Sequence, residues 1–583
     1  MLHTLTRSLR ENKGPALVTV LLSALEVVFE IVIPLFMSNL IDFGIEGGSM
    51  AAVWKFGAFL LLLAAFQLAT GVLAARIAAR ASVGFSANLR EDMFDNVQAF
   101  AFSNIDKFST ASIVTRLTTD TTNVQNAFQM LMRMVIRAPV MLVFSMIVSF
   151  RISHDISMTF LIILPILALA LFFIIRSVFP VFSRVFRTYD ELNNVVQENV
   201  RGIRVVKSFN QERHEIGKFG AISERIYKDF SKGERLITLN APLMQFCIYT
   251  CMIVISWLGA KAIIASGNDP ALGLTTGNLT ALITYTMQIL SSLMMLSMVF
   301  AMLTISLSSA RRIAEVLEER SDIPQPEQPV MTVRDGAVDF DHVSFVYASK
   351  ADKKVLDDID LHIRSGETIG IIGGTGASKS SLVQLIPRLY DVTGGKLTLG
   401  GVDVRDYDLD TLRGAVAMVL QKNELFSGTI KENLRWGNEN ATDEELQHAC
   451  VLACADEFIS AMPDGYDTHI EQGGTNVSGG QKQRLCIARA LLKKPKVLIL
   501  DDSTSAVDTR TDAQIQQALS TYIPDTTKII IAQRISSVQN ADRIVVLDDG
   551  HIDAVGCHDE LLRTCEIYRE VYESQQKGGE DDA

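Results

Sequence analysis

Six long apolar segments in the N-terminal half of the chain constrain its fold more than any other feature. Each reaches or approaches the roughly 20 residues that a helix needs to cross the hydrocarbon core of a membrane. A mean hydropathy of +0.23 agrees with membrane spans. No small-residue cleavage site follows the first segment, which favours a retained span over a signal peptide. The segments are approximately Leu17–Leu40, Trp54–Ala75, Val135–Phe150, Ile156–Val178, Leu243–Ala265 and Leu279–Leu307.

Positive charge is distributed unevenly among the connections between these segments. Lysine and arginine precede the first segment and are frequent in two long connections, 76–133 and 182–235, whereas the three short connections carry few. Because connections rich in lysine and arginine stay on the cytoplasmic side, both termini and both long connections are predicted to be cytoplasmic. The sequence therefore predicts a multi-pass protein of the cytoplasmic membrane.

The two long connections have the periodicity of helices. Apolar residues recur at three- and four-residue spacing through both, so we expect the spans to continue as helices beyond the membrane. At about 1.5 Å per residue, some 25 extra residues would project roughly 35–40 Å. The turning points are expected near Ser103–Phe108 and Phe209–Ile216, where a moving domain could engage the tips.

A proline-rich linker containing Pro324, Pro326 and Pro329 separates two parts of the chain that differ in composition. The first is apolar and helical; the second alternates short Val/Ile strands with amphipathic helices. We predict an all-α six-helix transmembrane domain at 1–320, a linker at 321–336, an α/β domain at 337–575 and a flexible acidic tail at 576–583. The net charge of −12 argues against nucleic-acid binding, and the seven scattered cysteines form neither a zinc nor a disulfide pattern.

The stretch ETIGIIGGTGASKSSLVQLI, Glu367 to Ile386, predicts a strand, a glycine-rich turn and a helix. Backbone N–H groups in such a turn can surround phosphate oxygens, with a lysine reaching the outer phosphates and a hydroxyl holding Mg²⁺. One position departs from the pattern, because serine replaces the glycine expected before the lysine. The loop residues are Gly373, Gly374, Thr375, Gly376, Ala377, Ser378, Lys379, Ser380 and Ser381.

Two further elements strengthen this interpretation. KKPKVLILDD, Lys493 to Asp502, predicts a buried strand that ends in two carboxylates, as a second Mg²⁺-organising element does. Shortly before it, SGGQ places Ser478, Gly479, Gly480 and Gln481 at the start of a helix, another anion-binding arrangement. Any one of the three could arise by chance; all three in this order argue strongly for nucleotide binding.

Together these residues resemble the ATP-binding cassette (ABC) transporters with a six-span exporter-type membrane domain. The resemblance implies ATP and Mg²⁺ as ligands, with Ser380, Gln421 and Asp501 at the metal. It also implies that Tyr347 stacks on adenine, and that Ser478–Gln481 is the signature facing the nucleotide of a second subunit. The SAVD motif ending at Asp508 matches the loop by which two cassettes touch, and the helical tips resemble coupling helices.

Three departures from the family pattern fall at one composite site. Ser378 replaces glycine, Asp502 stands where the catalytic glutamate is expected, and Gln533 stands where the switch histidine is expected. The pattern resembles the impaired half of a heterodimeric bacterial exporter of drug-like compounds or lipids, whose partner's site hydrolyses ATP. An importer with exporter architecture and a nucleotide-gated regulator or channel remain alternatives.

The first apolar segment contains two carboxylates one helical turn apart, Glu26 and Glu30. Two interpretations are open: they attract cationic substrates, or they form an internal pair with Arg133 or Arg137. Methionines are frequent in the last two segments, which suits either an adaptable cavity or a lipid-facing surface. They include Met244, Met252, Met287, Met294, Met295, Met298 and Met302.

Overall fold

A computed structural model describes residues 1–269, 273–347, 354–503 and 506–580. The protein falls into two compact units. The first comprises Met1–Gln98 and Thr110–Glu319, and the second comprises Ala99–Ser109 together with the chain from Arg320 onward. The short segment Ala99–Ser109 therefore belongs to the second unit, although the sequence around it belongs to the first.

Within its described residues, the first unit contains helices and no strand. Its helices are α1 (Leu2–Arg7), α2 (Lys13–Asn39), α3 (Met50–Gln98), α5 (Thr110–Thr115), α6 (Thr121–Met130), α7 (Ile136–Ile152), α8 (His154–Arg201), α9 (Ile203–Ser208), α10 (Glu212–Thr238), α11 (Asn240–Ser266) and α12 (Thr276–Glu318), with α4 (Phe102–Lys107) in the second unit. Three π-helical turns, Leu40–Glu46, Arg116–Asp120 and Leu131–Val135, continue or join these helices.

Among the described residues, six helical runs are long and apolar enough to cross a membrane, which confirms the predicted transmembrane architecture. They are Arg10–Glu46, Met50–Gln98, Thr110–Ile152, His154–Arg201, Glu212–Ser266 and Thr276–Leu296. The helical continuation of the spans is also confirmed, since α3 has 49 residues and α8 has 48. At about 1.5 Å per residue each is roughly 70 Å long, more than twice the hydrocarbon thickness.

The second unit contains three sheets and the remaining helices. Its strands are β1 (Val338–Phe345), β2 (Leu356–Ile363), β3 (Thr368–Gly373), β4 (Gly394–Leu399), β5 (Val402–Asp403), β6 (Val416–Val419), β7 (Gly428–Thr429), β8 (His469–Ile470), β9 (Val497–Asp501), β10 (Thr527–Ile531), β11 (Arg543–Asp548) and β12 (His551–Gly556). Its helices after α4 are α13 (Lys379–Gln384), α14 (Leu409–Ala415), α15 (Ile430–Arg435), α16 (Asp443–Leu452), α17 (Asp456–Ser460), α18 (Gly479–Leu492), α19 (Thr509–Tyr522), α20 (His558–Thr564) and α21 (Glu566–Glu580).

The largest sheet has the order β12-β11-β3-β10-β9-β6. The pairs β11–β3, β3–β10, β10–β9 and β9–β6 are parallel, and β12 runs antiparallel at the edge. Strands β9 and β10 are buried at every residue, the pattern of central parallel strands covered on both faces. A smaller antiparallel sheet, β2-β1-β4-β5, packs through a second apolar core. The predicted α/β class of this half is confirmed.

Candidate nucleotide site

The sheet topology brings three predicted motifs to one edge. Strands β3, β10 and β9 are neighbours, with Ile531 opposite both Ile371 and Asp501 in register. Because parallel strands end on the same side, the loop after β3, the carboxylates after β9 and the residues after β10 converge there. The converging segments are Gly373–Ser381, Asp501–Asp502 and Ala532–Gln533.

The loop after β3 needs glycine at two positions for different reasons. A Cβ at Gly373 would lie 2.1 Å from the carbonyl oxygen of Leu547, so only glycine fits against β11. Gly376 has a φ of +88°, a conformation that side-chain-bearing residues rarely adopt. Gly374 has open space around it, which leaves its backbone accessible to a ligand.

Ser378 also lies in the left-handed region, with φ +66° and ψ +22°, immediately before α13. A residue with a Cβ in this region carries a backbone cost of roughly 1–2 kcal/mol. The glycine expected at this position is thus favoured by the backbone conformation itself.

Lys379 is held by the loop that precedes it. Its Nζ donates to the carbonyl oxygens of Gly373 and Gly374, both at 2.8 Å. Burial lowers the pKa of the ammonium group, while Asp501 and Asp502 oppose that shift. The lysine is therefore positioned at the mouth of the loop, where a phosphate could replace the two carbonyls.

Ser380 and Asp501 form an oxygen-donor pair at the start of α13 and the end of β9. Burial raises the pKa of the Asp501 carboxyl group, and the nearby Ser380 hydroxyl opposes that rise. A hydroxyl and a carboxylate are hard oxygen ligands of the kind Mg²⁺ prefers, so these residues fit the predicted metal.

Asp502 contacts Gln533, another of the altered residues. Its Oδ2 accepts from Gln533 Nε2 at 2.7 Å, and Gln421 Nε2 lies 3.4 Å away. Burial raises the pKa of this carboxyl group, and the two amide donors oppose the rise. Asp502 also has a φ of +49°. Two of the three departures from the family pattern are therefore in direct contact, and Gln421 lies near the same carboxylate.

Tyr347 lies over the start of α13, where its hydroxyl is 2.7 Å from the Ser381 hydroxyl. Its ring makes edge contacts with Phe345 and Tyr390, at centroid distances of 4.9 and 5.1 Å. Tyr347 as a whole is 46% exposed. Adenine stacking on Tyr347 stays a prediction.

Tyr390 is a residue that the motif search missed. It contacts Tyr347 on one side, and on the other its hydroxyl donates to Asp106 of α4 at 2.7 Å. Phe102 of α4 also lies near its ring. Tyr390 thus joins the helix at a predicted tip to the predicted adenine-stacking residue. No motif marks it, since only the fold brings its ring to Tyr347.

The SGGQ motif begins α18 as a capping box. The amide of Gln481 donates to the Ser478 hydroxyl at 3.3 Å, and the Ser478 amide donates to Gln481 Oε1 at 2.9 Å. A Cβ at Gly480 would lie 2.8 Å from the Ala506 carbonyl oxygen, so glycine is needed where the chain following β9 approaches. The motif is pre-formed within a single chain.

Asp508 caps α19. Its carboxylate accepts from the backbone amide and the hydroxyl of Thr511, at 3.0 and 2.7 Å, and these bonds lower its pKa. Its role at a contact between two cassettes stays a prediction. Ser505, the first residue of the SAVD motif, lies outside the described residues.

Gln575 of α21 was also missed by the sequence analysis. Its Nε2 donates to the Gln533 carbonyl oxygen at 2.8 Å, and its Oε1 accepts from the Ile535 amide at 2.9 Å. Tyr568, which is fully buried, anchors the same helix in the core. The C-terminal helix therefore fixes the backbone of the segment that holds Gln533 on Asp502.

Both halves of the chain match models of known protein families. A family model described as ABC transporter transmembrane region matches residues 16–294, and one described as ABC transporter matches residues 356–505. The uncharacterized ABC transporter ATP-binding protein YfiB of Bacillus subtilis (strain 168) is 36% identical over 558 residues, which covers 96% of each chain. The uncharacterized ABC transporter ATP-binding protein MT1311 of Mycobacterium tuberculosis (strain CDC 1551 / Oshkosh) is 33% identical over 580 residues, covering 99% of this chain and 98% of that protein.

A solved structure of a bacterial Atm1-family ABC exporter with ATP bound has the same fold. Its TM-score is 0.82, and the alignment covers 97% of this chain and 99% of that chain. The sequence identity is 24%, so the likeness concerns the fold alone.

Proposed function

The chain belongs to the ABC transporter family and has its exporter-type fold, and from this premise we propose that it is the ATP-retaining half of a heterodimeric exporter. It would move amphipathic or drug-like compounds, or lipids, outward across the cytoplasmic membrane. The observation that carries the proposal is the bond from Gln533 to Asp502, at 2.7 Å.

The contacts at Asp502 support slow hydrolysis at this chain's own site. A carboxylate that orients an attacking water must be free to accept its proton or hydrogen bond. Here the carboxylate is one methylene shorter than glutamate and already accepts from the Gln533 amide. Glutamine cannot take up a proton as histidine can at neutral pH. The phosphate loop and Lys379 still bind ATP, and Mg²⁺ held by Ser380 and Asp501 would neutralise phosphate charge.

The intact SGGQ motif supports a second, faster site. Ser478 and Gln481 complete each other's hydrogen bonds within this chain, so the motif can present its helix N-terminus to the nucleotide of a partner. A partner with a glutamate and a histidine at the corresponding positions would hydrolyse ATP there. One ATP is thus retained while the other turns over.

Steady ATP hydrolysis by the full-length chain alone in lipid nanodiscs tests the proposal. In a pair of identical chains, each phosphate loop would face the other copy's SGGQ motif. We expect turnover below about 0.1 per second, well under ordinary enzyme rates, with ATP recovered from the washed protein. The Lys379→Ala variant is the matched control and should recover none. Turnover of several per second that Lys379→Ala abolishes would overturn the proposal.

The exposed thiol of Cys557 gives a test of orientation, because it lies in the unit that contains the nucleotide motifs. A membrane-impermeant maleimide should label it in inverted vesicles and not in intact cells. A Cys557→Ser variant identifies the labelled position. Labelling from outside intact cells would refute the cytoplasmic placement.

A further inference from the structure

One arginine and two carboxylates form an ion triad within the transmembrane helices, and with both carboxylates ionised the triad carries one negative charge in excess. Arg137 of α7 donates from Nη1 to Glu26 Oε1 at 2.9 Å and from Nη2 to Glu30 Oε2 at 2.7 Å. The two carboxylates therefore share a single guanidinium. Within the described part of the chain, Arg137 is the ion-pair partner of both, and Arg133 is not.

Two further helices, α12 and α3, hold the triad. Gln288 of α12 donates to the backbone carbonyl of Glu30 at 3.2 Å, and Tyr285, one turn earlier, donates to the next carbonyl, that of Ile31, at 2.6 Å. On the side of α3, a Cβ at Gly71 would lie 3.3 Å from Glu26 Oε1. The backbone at Glu30 is therefore fixed to α12, and Glu26 is packed against α3.

A cavity of about 210 Å³ opens beside Glu30 and Arg137. Its wall includes the Gln288 amide, and its apolar surface includes the thioethers of Met141, Met287 and Met295. Glu30 is the carboxylate that faces this space, with 24% of its side chain exposed, whereas Glu26 is 11% exposed. A cavity of this volume is large enough for a small organic head group.

An uncompensated charge among transmembrane helices is costly, so a ligand that supplies the opposite charge binds more strongly there than its neutral counterpart. Flexible, polarisable methionine side chains adapt to organic groups of differing shape. We propose that this cavity binds the head group of an organic monocation, such as a guanidinium, amidinium or quaternary ammonium, carried by an amphipathic molecule. The inference rests on the proposed function, because it names the substrate class of the exporter.

A matched pair of probes tests the inference without relying on transport. An octylguanidinium and an octylurea bearing the same fluorophore have nearly the same shape and differ by one charge. Their affinities are measured without nucleotide on the full-length chain in nanodiscs of an uncharged galactolipid, which carries no ammonium group, and empty nanodiscs correct for partition into lipid. We expect the guanidinium to bind at least about tenfold more tightly than the urea, as expected for a charge pair at an effective dielectric constant near 20.

Charge-neutral variants locate the effect. Glu30→Gln and Glu26→Gln keep the side-chain length and an acceptor for Arg137, and each should remove most of the guanidinium preference while leaving urea binding unchanged. Glu46→Gln is the control, because it removes a carboxylate at the end of the same helical run, where Glu46 contacts Asn268. It should leave both affinities unchanged.

The outcomes separate this inference from the proposed function. Equal affinity of the wild-type chain for the two probes would overturn the cation site, whatever the ATP measurements give, and so would a guanidinium preference that survives Glu30→Gln and Glu26→Gln. Rapid ATP turnover would overturn the retained-ATP proposal and leave the probe result standing. Displacement of the guanidinium by phosphatidylethanolamine added to the nanodisc would support the site and assign it to a lipid ammonium group; displacement only by free organic cations would assign it to drug-like substrates.

Discussion

Restoring both altered residues at the hydrolytic centre should restore turnover, whereas restoring one should not. Glutamate at position 502 extends the carboxylate by one methylene, toward the space that the Gln533 amide occupies 2.7 Å from the present Oδ2. In Asp502→Glu the longer side chain therefore competes with that amide. In Gln533→His the carboxylate is still too short. Only the double variant Asp502→Glu/Gln533→His both lengthens the carboxylate side chain and removes the Gln533 amide from the space that this side chain needs.

The geometry sets the size of the expected effect. A displacement of about 1 Å in a group that positions the reacting water can cost about 10²-fold in rate. The hydrogen bond that holds the buried carboxylate contributes roughly 1.5–3 kcal/mol, since its acceptor is charged. We therefore expect the double variant to hydrolyse ATP about 10- to 100-fold faster than wild type and each single variant less than about threefold faster. A double variant 100-fold faster and single variants threefold faster would correspond to a coupling of about 1.4 kcal/mol between the two positions.

The assay is steady ATP hydrolysis by the full-length chain in nanodiscs at saturating Mg²⁺ and ATP. Each of the four proteins is measured alongside the same protein carrying Lys379→Ala, whose rate is subtracted as background. If the double variant is no faster than the faster single variant, the Gln533–Asp502 contact does not limit turnover and the explanation of the slow site is wrong.

Three other contacts of the second unit give further predictions. Lys379→Ala removes the ammonium group at the loop mouth, so ATP affinity measured by equilibrium binding should fall at least about tenfold. Tyr390→Phe removes the hydroxyl that bonds Asp106 and keeps the ring, so thermal unfolding should show a loss of about 1 kcal/mol while ATP affinity stays unchanged. Gln575→Ala removes the acceptor of the Ile535 amide, whose hydrogen exchange should become at least about tenfold faster, with distant amides of α18 as the internal control. An unchanged affinity, stability or exchange rate would contradict the corresponding contact.

The periodicity and order of the motifs were sufficient to predict much of the fold. Apolar runs of membrane-spanning length predicted all six transmembrane helices, and their continuing periodicity predicted the 49-residue α3 and the 48-residue α8. The family resemblance predicted that the motifs after β3, β9 and β10 belong to one site, and the fold brings them together because parallel strands end on one side of a sheet. A local residue pattern predicts the structure wherever the whole pattern lies within a single helix or strand.

The sequence did not predict contacts between segments that lie far apart along the chain. Gln575 lies on the C-terminal helix, and its two bonds to the segment around Gln533 depend on how α21 packs. The choice of Arg137 over Arg133 depends on the rotation of α7 relative to α2, which the spacing of the arginines leaves open. Tyr390 joins Tyr347 to α4 only because the fold brings the three together.

Ser378 gives a last prediction, because the strain of its backbone can be measured separately from the effect of its side chain on bound ATP. With φ at +66°, Ser378→Gly relieves roughly 1 kcal/mol of strain in the folded loop, but glycine also gives the unfolded chain about 0.5–1 kcal/mol of extra conformational freedom. The two effects nearly cancel, so the unfolding free energy should change by less than about 0.5 kcal/mol.

Any change in ATP affinity on Ser378→Gly therefore reports what the serine side chain does to the phosphates rather than a change in loop stability. Ser378→Ala is the matched control, because it keeps the Cβ and its strain and removes only the hydroxyl. If Ser378→Gly strengthens ATP binding severalfold and Ser378→Ala does not, the Cβ crowds the phosphates. If both weaken binding equally, the hydroxyl donates to them, and the serine contributes to holding ATP. Equal ATP affinity in wild type, Ser378→Gly and Ser378→Ala would show that neither the Cβ nor the hydroxyl of the serine affects ATP binding. The slow turnover would then depend on Asp502 and Gln533.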